Sequence, residues 1–225
     1  MLRQTAYHAG AFKQATNSPP VRSGELLGAI EPMGAPMPFA RNAEIYEEGD
    51  PAEYLYKVIE GTVRTSKLLA DGRRQVGGFY LPGDVFGLET GDEHAFSAEA
   101  IADAKVLVIK RSALIALADR DPDVARQLWS VTCRELGRVQ DHILLLIKSA
   151  QERVAAFLLE MAERVPAGNA VDLPMSRQDI ADYLGLTIET VSRTLSRLEH
   201  LSAIELPSSR RIVLRNRSAL SRLNA

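Results

Sequence analysis

Between residues 175 and 199, apolar side chains recur at helical spacing in two short runs separated by Gly185. Ser176 opens the first run with a capping-box pattern, and glycine readily adopts the left-handed conformation that ends a helix. Thr187 is a good N-cap for the second run. The apolar stripes comprise Ile180, Ala181, Leu184, Val191, Leu195 and Leu198. The pattern predicts two short amphipathic helices joined by a tight turn.

The second predicted helix has a polar face opposite its apolar stripe, formed by Glu189, Ser192, Arg193 and Ser196. Arginine can bridge O6 and N7 of guanine, and a carboxylate can accept from the amino group of cytosine. Glu189 and Arg193 stand one helical turn apart, so they could read adjacent base pairs, although taken alone they would more often form a surface salt bridge. Cap, turn glycine, buried stripe and polar face follow the order of a helix-turn-helix, which predicts DNA binding.

From about Met37 to Ile109 the pattern changes to short strands punctuated by glycine. The glycines at 49, 61, 72 and 83 are 12, 11 and 11 residues apart. Strands at this spacing, with turn signals between them, indicate a β-sandwich or barrel. Asp71-Gly72 predicts a two-residue hairpin turn. The run 106–109 predicts a closing strand that is buried on both faces.

A longer helix is predicted to begin near Pro122, with apolar positions that alternate at three and four residues. The resulting seam comprises Trp129, Thr132, Leu136, Val139, Ile143, Leu146 and Ala150. A heptad seam of three repeats predicts a parallel pair of helices from two copies of the chain. A core helix packed on its own barrel would leave a similar pattern, and both can hold because Leu144, Leu145 and Ile147 offer a second apolar face. We favour a homodimer, since a two-fold protein reading two half-sites explains why the seam precedes a helix-turn-helix.

Two further elements flank the helix-turn-helix. An amphipathic helix is predicted over 152–165, and strands over 204–206 and 210–214 surround a tight turn, as in a β-hairpin wing. The turn contains Ser208, Ser209 and Arg210. These side chains suit contact with DNA phosphates, which positions a protein without specifying sequence. The same residues could equally form an ordinary solvated turn.

Composition is that of a globular protein, with 46% hydrophobic and 25% charged residues in 225. No apolar run approaches the roughly 20 residues that cross a bilayer, and the N-terminus lacks a secretory signal, so we expect a cytoplasmic protein with no membrane segment. The net charge of −2 is unevenly distributed. From residue 173 onward, eight arginines against five acidic residues give +3, whereas the rest has 19 basic and 24 acidic residues, or −5. A basic end on an acidic body supports DNA binding.

Features of an enzyme or a metal site are not found in the sequence. The histidines at 8, 94, 142 and 200 are unpaired, whereas metal-binding jelly rolls usually need two or more close together. Nucleophile motifs, phosphate loops and dinucleotide fingerprints are missing as well. Cys133 is the single cysteine, so no intramolecular disulfide or all-cysteine metal cluster can form. We interpret it as an inert, partly buried thiol rather than a redox switch. We therefore expect that the protein binds no metal ion and is not an enzyme.

From about residue 39 to 216 the chain resembles the CRP/FNR superfamily of bacterial transcription regulators, and most of all the FixK branch of its FNR-like group. The segments GTVRTSKLLADGRRQVGGFYLPGDVFGLE, AQERVAAFLLEMAER and MSRQDIADYLGLTIETVSRTLSRLE carry the resemblance. It implies an α+β fold with an N-terminal jelly-roll-like β-roll, a long dimerisation helix and a C-terminal winged helix-turn-helix. We therefore expect a flexible N-terminal arm over 1–34, a sensor-like β-roll over 35–120, the dimerisation helix over 121–149 and the DNA-binding domain over 150–225.

The resemblance also implies which residues meet DNA. The family's base-reading positions match Ile188, Glu189 and Arg193, with Ser192 also at the DNA surface. Its phosphate contacts match Ser176, Arg177 and Gln178. The implied site is a palindrome of the type TTGA…TCAA. Side-chain chemistry agrees with this assignment: Arg193 suits the guanine, Glu189 a cytosine opposite or nearby, and Ile188 a thymine methyl group.

Two departures from the family bear on cofactors. FNR itself carries an N-terminal cysteine cluster for iron–sulfur, whereas residues 1–34 contain no cysteine. Cyclic-nucleotide-binding members hold the cyclic phosphate with an Arg-Ser pair that follows a Gly-Glu motif. Here Gly83-Asp84 is followed at the matching place by His94-Ala95, and an uncharged pair cannot replace a bidentate cation at a phosphate. We expect no cofactor.

The sequence as a whole predicts a homodimeric, sequence-specific transcription regulator. The resemblance implies an activator of low-oxygen or nitrogen-fixation genes, which touches RNA polymerase through exposed loops of the barrel and wing domains. The competing hypothesis is a receptor whose β-roll binds an unidentified small molecule that gates DNA binding. A third class, an enzyme built on the barrel, would be favoured by bound metal.

Overall fold

The computed structural model describes residues 31–89, 91–165 and 168–224. Most of the arm predicted over 1–34 lies outside these residues. Gly34, its last residue, is the first residue of a strand and pairs with Ile109. The ordered β structure therefore begins a little before the predicted boundary.

Residues 34–110, all described except position 90, form the predicted β-roll from two antiparallel sheets. The strands are β1 (Gly34–Phe39), β2 (Glu44–Tyr46), β3 (Tyr54–Glu60), β4 (Val63–Leu68), β5 (Arg74–Tyr80), β6 (Val85–Phe86), β7 (Ser97–Ala100) and β8 (Ala104–Lys110). One sheet has the order β1-β8-β3-β6 and the other β2-β7-β4-β5. Apolar side chains of both sheets, such as Val58 and Val63, share one buried core.

The four evenly spaced glycines all lie at turns with φ between +81° and +97°, a conformation that costs glycine least. The β4–β5 hairpin is longer than Asp71-Gly72 predicts. Leu69 donates its N–H to the carbonyl of Arg73 at 2.8 Å, so three residues, rather than two, lie between the last bonded pair. Gly72 takes up the positive φ of this turn and donates to the carbonyl of Leu69.

The central strand β8 is buried on both faces, as predicted. Val106 faces the core between the two sheets. Leu107 and Ile109 face a second cluster that includes Leu114 and Val124 of the helices that follow. The β-roll is thus packed directly against the beginning of the long helix.

The helices are α1 (Arg111–Ala118), α2 (Pro122–Leu146), α3 (Ala150–Arg164), α4 (Arg177–Leu184), α5 (Ile188–His200) and α6 (Arg217–Asn224). The described helices include none that is long and apolar enough to cross a membrane. The long helix α2 is shorter than the predicted unit over 121–149, and Ala150 does not belong to its seam. Ser149 begins a new helix through a capping box with Glu152, whose carboxylate accepts from the N–H of Ser149 at 2.7 Å.

The C-terminal part is a winged helix-turn-helix, which completes the predicted α+β fold. The wing strands β10 (Ile204–Glu205) and β11 (Arg211–Leu214) pair as predicted. A third strand, β9 (Ala170–Asp172), pairs with the other edge of β11 and was not predicted. Phe157, Leu158 and Met161 of α3 are fully buried beneath this sheet and the two helices.

Aromatic rings join the β-roll to the C-terminal domain. The ring of Phe79, on β5, lies 6.3 Å from that of Phe157 and 5.3 Å from that of Tyr183 at the end of α4. The Phe79 carbonyl accepts from Arg138 of α2 at 3.0 Å and from Arg164 of α3 at 2.7 Å. One point of the β-roll is therefore tied to three helices.

Candidate nucleic-acid interface

The helix-turn-helix is built by the local signals that predicted it. The Ser176 hydroxyl accepts from the N–H of Asp179 at 3.1 Å, and the Asp179 carboxylate accepts from the N–H of Ser176 at 2.9 Å. Gly185 ends α4 with φ +61°. Thr187 caps α5 by accepting from the N–H of Thr190 at 3.2 Å. These contacts fix the angle between α4 and α5.

The two faces of α5 separate as predicted. Val191, Leu195 and Leu198 are buried, whereas Ile188, Glu189, Arg193 and Ser196 are exposed. Ser192 is half-buried, and its hydroxyl accepts from the Arg177 guanidinium at 3.3 Å. The four predicted base-reading residues thus lie on one side of α5, away from its buried apolar stripe.

Glu189 and Arg193 are not held by each other. The Arg193 guanidinium donates to the Thr190 hydroxyl at 3.4 Å, a long bond that a base edge could replace. The backbone N–H of Glu189 and the Thr187 hydroxyl lower the pKa of the Glu189 carboxyl, so this group is ionised at neutral pH. Both side chains can therefore meet a base without first breaking an ion pair between them.

Two residues of this face were missed in the sequence. A shallow groove of about 450 Å³ runs along α5 and is lined by Ser192, Arg193, Ser196, Arg197, His200 and Leu201. Arg197 and His200 stand four and seven residues after Arg193, so the helical period would have placed them on the same face. They extend the row of hydrogen-bond donors toward the end of α5.

The predicted phosphate contacts come from α4 and the wing, and the structure brings some of them together. Ser176 and Arg210 line a common cavity of about 250 Å³, but Arg64 and Arg74 line it too, so it lies at the boundary with the β-roll. Ser209 is exposed at the wing tip, where the Ser208 hydroxyl accepts from the N–H of Arg211 at 3.1 Å. Gln178 is exposed and donates to Asp182 at 2.6 Å, whereas Arg177 is turned toward α5.

The seam of α2 faces solvent in the single chain. Trp129, Leu136 and Ile143 are 72%, 56% and 60% exposed, and Val139 and Thr132 are exposed beside them. Leu146 is half-buried, and Ala150 lies in α3. Among the residues offered as a second apolar face, Leu145 is buried, whereas Leu144 and Ile147 are exposed. A stripe of large apolar side chains along one helix indicates a surface that another element covers.

Cys133 is exposed, and the interpretation of a partly buried thiol is wrong. It follows the seam residue Thr132 directly, on a part of α2 that the chain's own β-roll does not cover. The apolar contacts of α2 with the β-roll are made by other residues, such as Val124 and Leu128.

His94, which the family resemblance matched to a phosphate-binding position, lies inside the β-roll. It is 2% exposed, and its ring stacks on that of Tyr46 at a centroid distance of 3.6 Å. Its Nδ1 is 3.2 Å from the Glu89 carboxylate. The nearby Arg111 guanidinium donates to the carbonyls of Gly87 and Gly91. An aromatic stack and a carboxylate occupy this part of the roll. Across the described residues, histidine, cysteine and carboxylate side chains do not come together in threes to form a metal site.

The start of α4 is anchored to the β-roll through Asp179, which is 4% exposed. Arg64 of β4 and Arg74 of β5 both donate to this carboxylate, the second at 2.7 Å. Burial alone would raise the pKa of Asp179, but the hydrogen bonds from Ser176 and the charges of the two arginines outweigh it, so the pKa is lowered. The carboxylate is therefore ionised and holds both domains together.

Comparison with known proteins agrees with this architecture. Residues 152–223 match the model of the Crp-like helix-turn-helix domain, and residues 36–121 match that of the cyclic nucleotide-binding domain. The nitrogen fixation regulation protein FixK of Azorhizobium caulinodans is 54% identical over 210 residues, which cover 91% of this chain and 84% of that protein. FixK of Rhizobium meliloti is 44% identical over 181 residues, covering 80% and 82%.

A solved structure shares the whole arrangement. The structure of FixK2 from Bradyrhizobium japonicum superposes with a TM-score of 0.82 at 53% identity, and covers 85% of this chain and 98% of that one. Both domains and the long helix between them therefore have a counterpart of closely related sequence.

The lowered pKa of Asp179 predicts an acid-dependent stability that Asp179→Asn lacks. Ionised Asp179 stabilises the folded chain above its ordinary pKa of about 4, and this contribution is lost as pH falls through the lower folded value. We expect Asp179→Asn to reduce the free energy of unfolding by about 1–3 kcal/mol at pH 7, with the gap to the parent closing below about pH 4. Urea unfolding at a series of pH values measures this gap.

Asp71→Asn is the matched control for this experiment. The hydrogen bond from Arg73 lowers the pKa of Asp71 as well, but this carboxylate is exposed in the hairpin turn. Its curve should follow the parent at every pH. Equal stability of the parent and Asp179→Asn across the whole series would contradict the anchoring role of Asp179.

Proposed function

Because the chain belongs to the CRP/FNR family of transcription regulators, we propose that it binds a TTGA…TCAA palindrome as a homodimer and activates genes of low-oxygen metabolism or nitrogen fixation. Its relatives are regulators rather than enzymes, and it carries a helix-turn-helix DNA-binding domain. Regulation of nitrogen fixation is what the names of the FixK relatives state. The proposal extends this family membership to a site, an oligomeric state and a set of contact residues.

The exposed polar face of α5 is the observation that carries the proposal. Arg193 has the reach and the donor geometry to bridge O6 and N7 of the guanine in TTGA. Glu189 would accept from the amino group of a neighbouring cytosine, and Ile188 would contact a thymine methyl group. Ser192, held by Arg177, would lie against the same groove.

Phosphate contacts on both sides of α5 would fix its position in the major groove. On the side of α4 we assign these contacts to Ser176, Arg177 and Gln178, and at the wing tip to Ser209 and Arg210. Gln178 and Ser209 are exposed, which supports their assignment, whereas the cavity that Ser176 and Arg210 share is also lined by residues of the β-roll. Exposed loops of the β-roll and the wing domain would contact RNA polymerase.

The exposed seam of α2 supports the homodimer. Trp129, Thr132, Leu136, Val139, Ile143 and Leu146 would pack against the same residues of a second copy in a parallel pair. Such a pair carries two α5 helices related by a two-fold axis, which can enter successive major grooves about 34–36 Å apart. Each protomer of the proposed dimer consists of the β-roll over 35–120, the long helix, which ends at Leu146, and the winged domain from residue 150.

Binding without a cofactor is supported by the interior of the β-roll. The ring of His94 stacks on Tyr46 with the Glu89 carboxylate at 3.2 Å. The nearby Arg111 guanidinium lies 4.0 Å from this carboxylate and donates to two backbone carbonyls. A cyclic phosphate at this point would have to compete with the carboxylate and the carbonyls for the guanidinium. Cyclic nucleotide binding of the usual family kind is therefore not part of the proposal, nor is an iron–sulfur cluster.

Arg193→Ala is expected to weaken binding to the palindrome by about 1–3 kcal/mol per half-site and to reduce discrimination at the guanine position. The reason is the loss of a bidentate contact with one base. Fluorescence anisotropy with the palindrome, and with versions substituted at each guanine, measures both effects. Arg120→Ala removes the same charge from an exposed turn before α2 and should change neither. Equal affinity of Arg193→Ala and the parent for the palindrome would refute the assignment.

Leu136→Glu is expected to raise the dimer dissociation constant by roughly two orders of magnitude or more, because each dimer would lose two buried leucines, each contributing about 1.5–3 kcal/mol. Sedimentation equilibrium gives the constant directly. Ile115→Glu places the same charge on an exposed apolar position of α1 and should leave the dimer intact. A parent chain that is monomeric while it binds the palindrome at full strength would contradict the homodimer.

An obligatory small-molecule effector is the alternative, and ligand-free protein distinguishes the two. We expect dialysed protein, shown by mass spectrometry to carry no small molecule, to bind the palindrome with a Kd of about 10 nM or below. Added cyclic AMP should leave this Kd unchanged. Binding that appears only after a cell extract filtrate is added would favour the effector-gated regulator.

A further inference from the structure

Five charged side chains cross the boundary between the β-roll and the helix-turn-helix, and we call them the junction network. They are Arg64, Arg74, Glu99, Asp179 and Asp182. Arg64, Asp179 and Asp182 are largely buried, and Arg74 and Glu99 are half-buried. The network consequently loses little of its strength to solvent screening, unlike an ordinary surface ion pair.

Arg74 is the side chain that spans the boundary most completely. Its Nη2 lies 2.7 Å from Asp179, and its Nε lies 2.7 Å from Asp182, one turn further along α4. A guanidinium is planar and presents its donors in a fixed fork. Two carboxylates on successive turns of one helix therefore determine the direction of α4 relative to β5.

Arg64 fixes the same helix from the neighbouring strand. Its Nη2 donates to Glu99 of β7 at 2.7 Å, which orients the guanidinium, and its Nη1 donates to Asp179. Asp179 in turn forms the capping box of α4 with Ser176. The N-terminal turn of α4 is thus tied to two adjacent strands of one sheet.

The other end of α4 is tied to α2, which carries the seam, and to α3. The His142 imidazole of α2 donates from Nε2 to the Tyr183 carbonyl at 2.8 Å and stacks on the Tyr183 ring. Arg153 of α3 donates to the Leu184 carbonyl at 2.8 Å. Since α5 packs on α4, contacts at both ends of α4 set the orientation of α5 relative to the dimer axis.

We infer that Arg74, with Arg64, is a positioning residue for DNA reading: it sets the angle at which α5 stands to the long helix, and thereby the distance between the two α5 helices of the dimer. The inference rests on the proposed homodimer and palindrome. Loss of either arginine would leave a buried carboxylate short of a partner and loosen α4, but the base-reading side chains of α5 would be unchanged. The effect of the network should therefore appear in the preferred half-site spacing more than in the affinity for one half-site.

The test compares Arg74→Gln with Arg73→Gln. The two arginines are adjacent and lose the same charge, but Arg73 is exposed and pairs with Asp71 inside the hairpin turn. Kd values are measured for palindromes whose half-sites are moved by one or two base pairs in either direction, and for a duplex with a single half-site. The parent and Arg73→Gln should share one sharp spacing optimum. For Arg74→Gln the preference for that optimum should fall roughly fivefold or more, with the single half-site affected much less.

Asp182→Asn gives a second, independent variant. It removes one of the two anchors of Arg74 while Asp179 remains, so it should flatten the spacing profile in the same direction but less. The double variant Arg74→Gln/Asp182→Asn should resemble Arg74→Gln alone, because both changes remove the same contact. Sedimentation and thermal unfolding verify that each variant is a folded dimer.

The possible outcomes distinguish a failure of the positioning role from a failure of the proposed function. A sharp optimum shared by the parent, Arg74→Gln and Asp182→Asn would overturn the positioning role and leave the proposed function standing. A parent that binds all spacings equally would overturn the two-half-site reading itself, and the positioning role with it. A uniform loss of affinity at every spacing, including the single half-site, would also overturn the inference, since it indicates a structural role only.

Discussion

The carboxylate of Asp179 links the local folding of the DNA-reading unit to its placement in the molecule. The same group caps α4 through Ser176 and accepts from Arg64 and Arg74 of the β-roll. The cap is a contact between residues three apart, whereas the arginines are more than a hundred residues away. Because one carboxylate serves both, the same first turn of α4 that is capped locally is also docked against β4 and β5. The position of α5 follows from that contact.

The charged residues of the helix-turn-helix are divided between the side that contacts the β-roll and the side that is exposed. The acidic residues of α4 face the β-roll and are neutralised by its arginines, whereas Arg193 and Arg197 lie on the exposed face of α5. The segment from residue 173 is therefore more basic toward DNA than its net charge of +3 indicates. Long-range attraction to phosphate does not require a basic protein, only a basic surface at the site of contact.

Local signals account for the parts of the fold that the sequence predicted. Ser176, Gly185 and Thr187 act on residues within one turn of themselves, and the positive φ of Gly72 and Gly83 depends only on the turn. The end of α2 carried such a signal too, since Ser149 and Glu152 have capping-box spacing, but the seam pattern continued through it. Two features had no local signal: the pairing of β9 with β11, and the contacts of Arg74 with α4. Both join residues far apart in the chain, whose meeting depends on the whole fold.

The interior of the β-roll bears on how such a regulator could be controlled. A ligand shifts a conformational equilibrium only by as much as its affinities for the two states differ. In this chain His94 and Tyr46 fill part of the roll with their own rings, and the junction network ties the roll to α4 with the chain's own charges. In the proposed mechanism the chain's own contacts hold the DNA-reading geometry, so an activating ligand would have little left to stabilise. The proposed mechanism therefore requires no differential affinity of a ligand for two states.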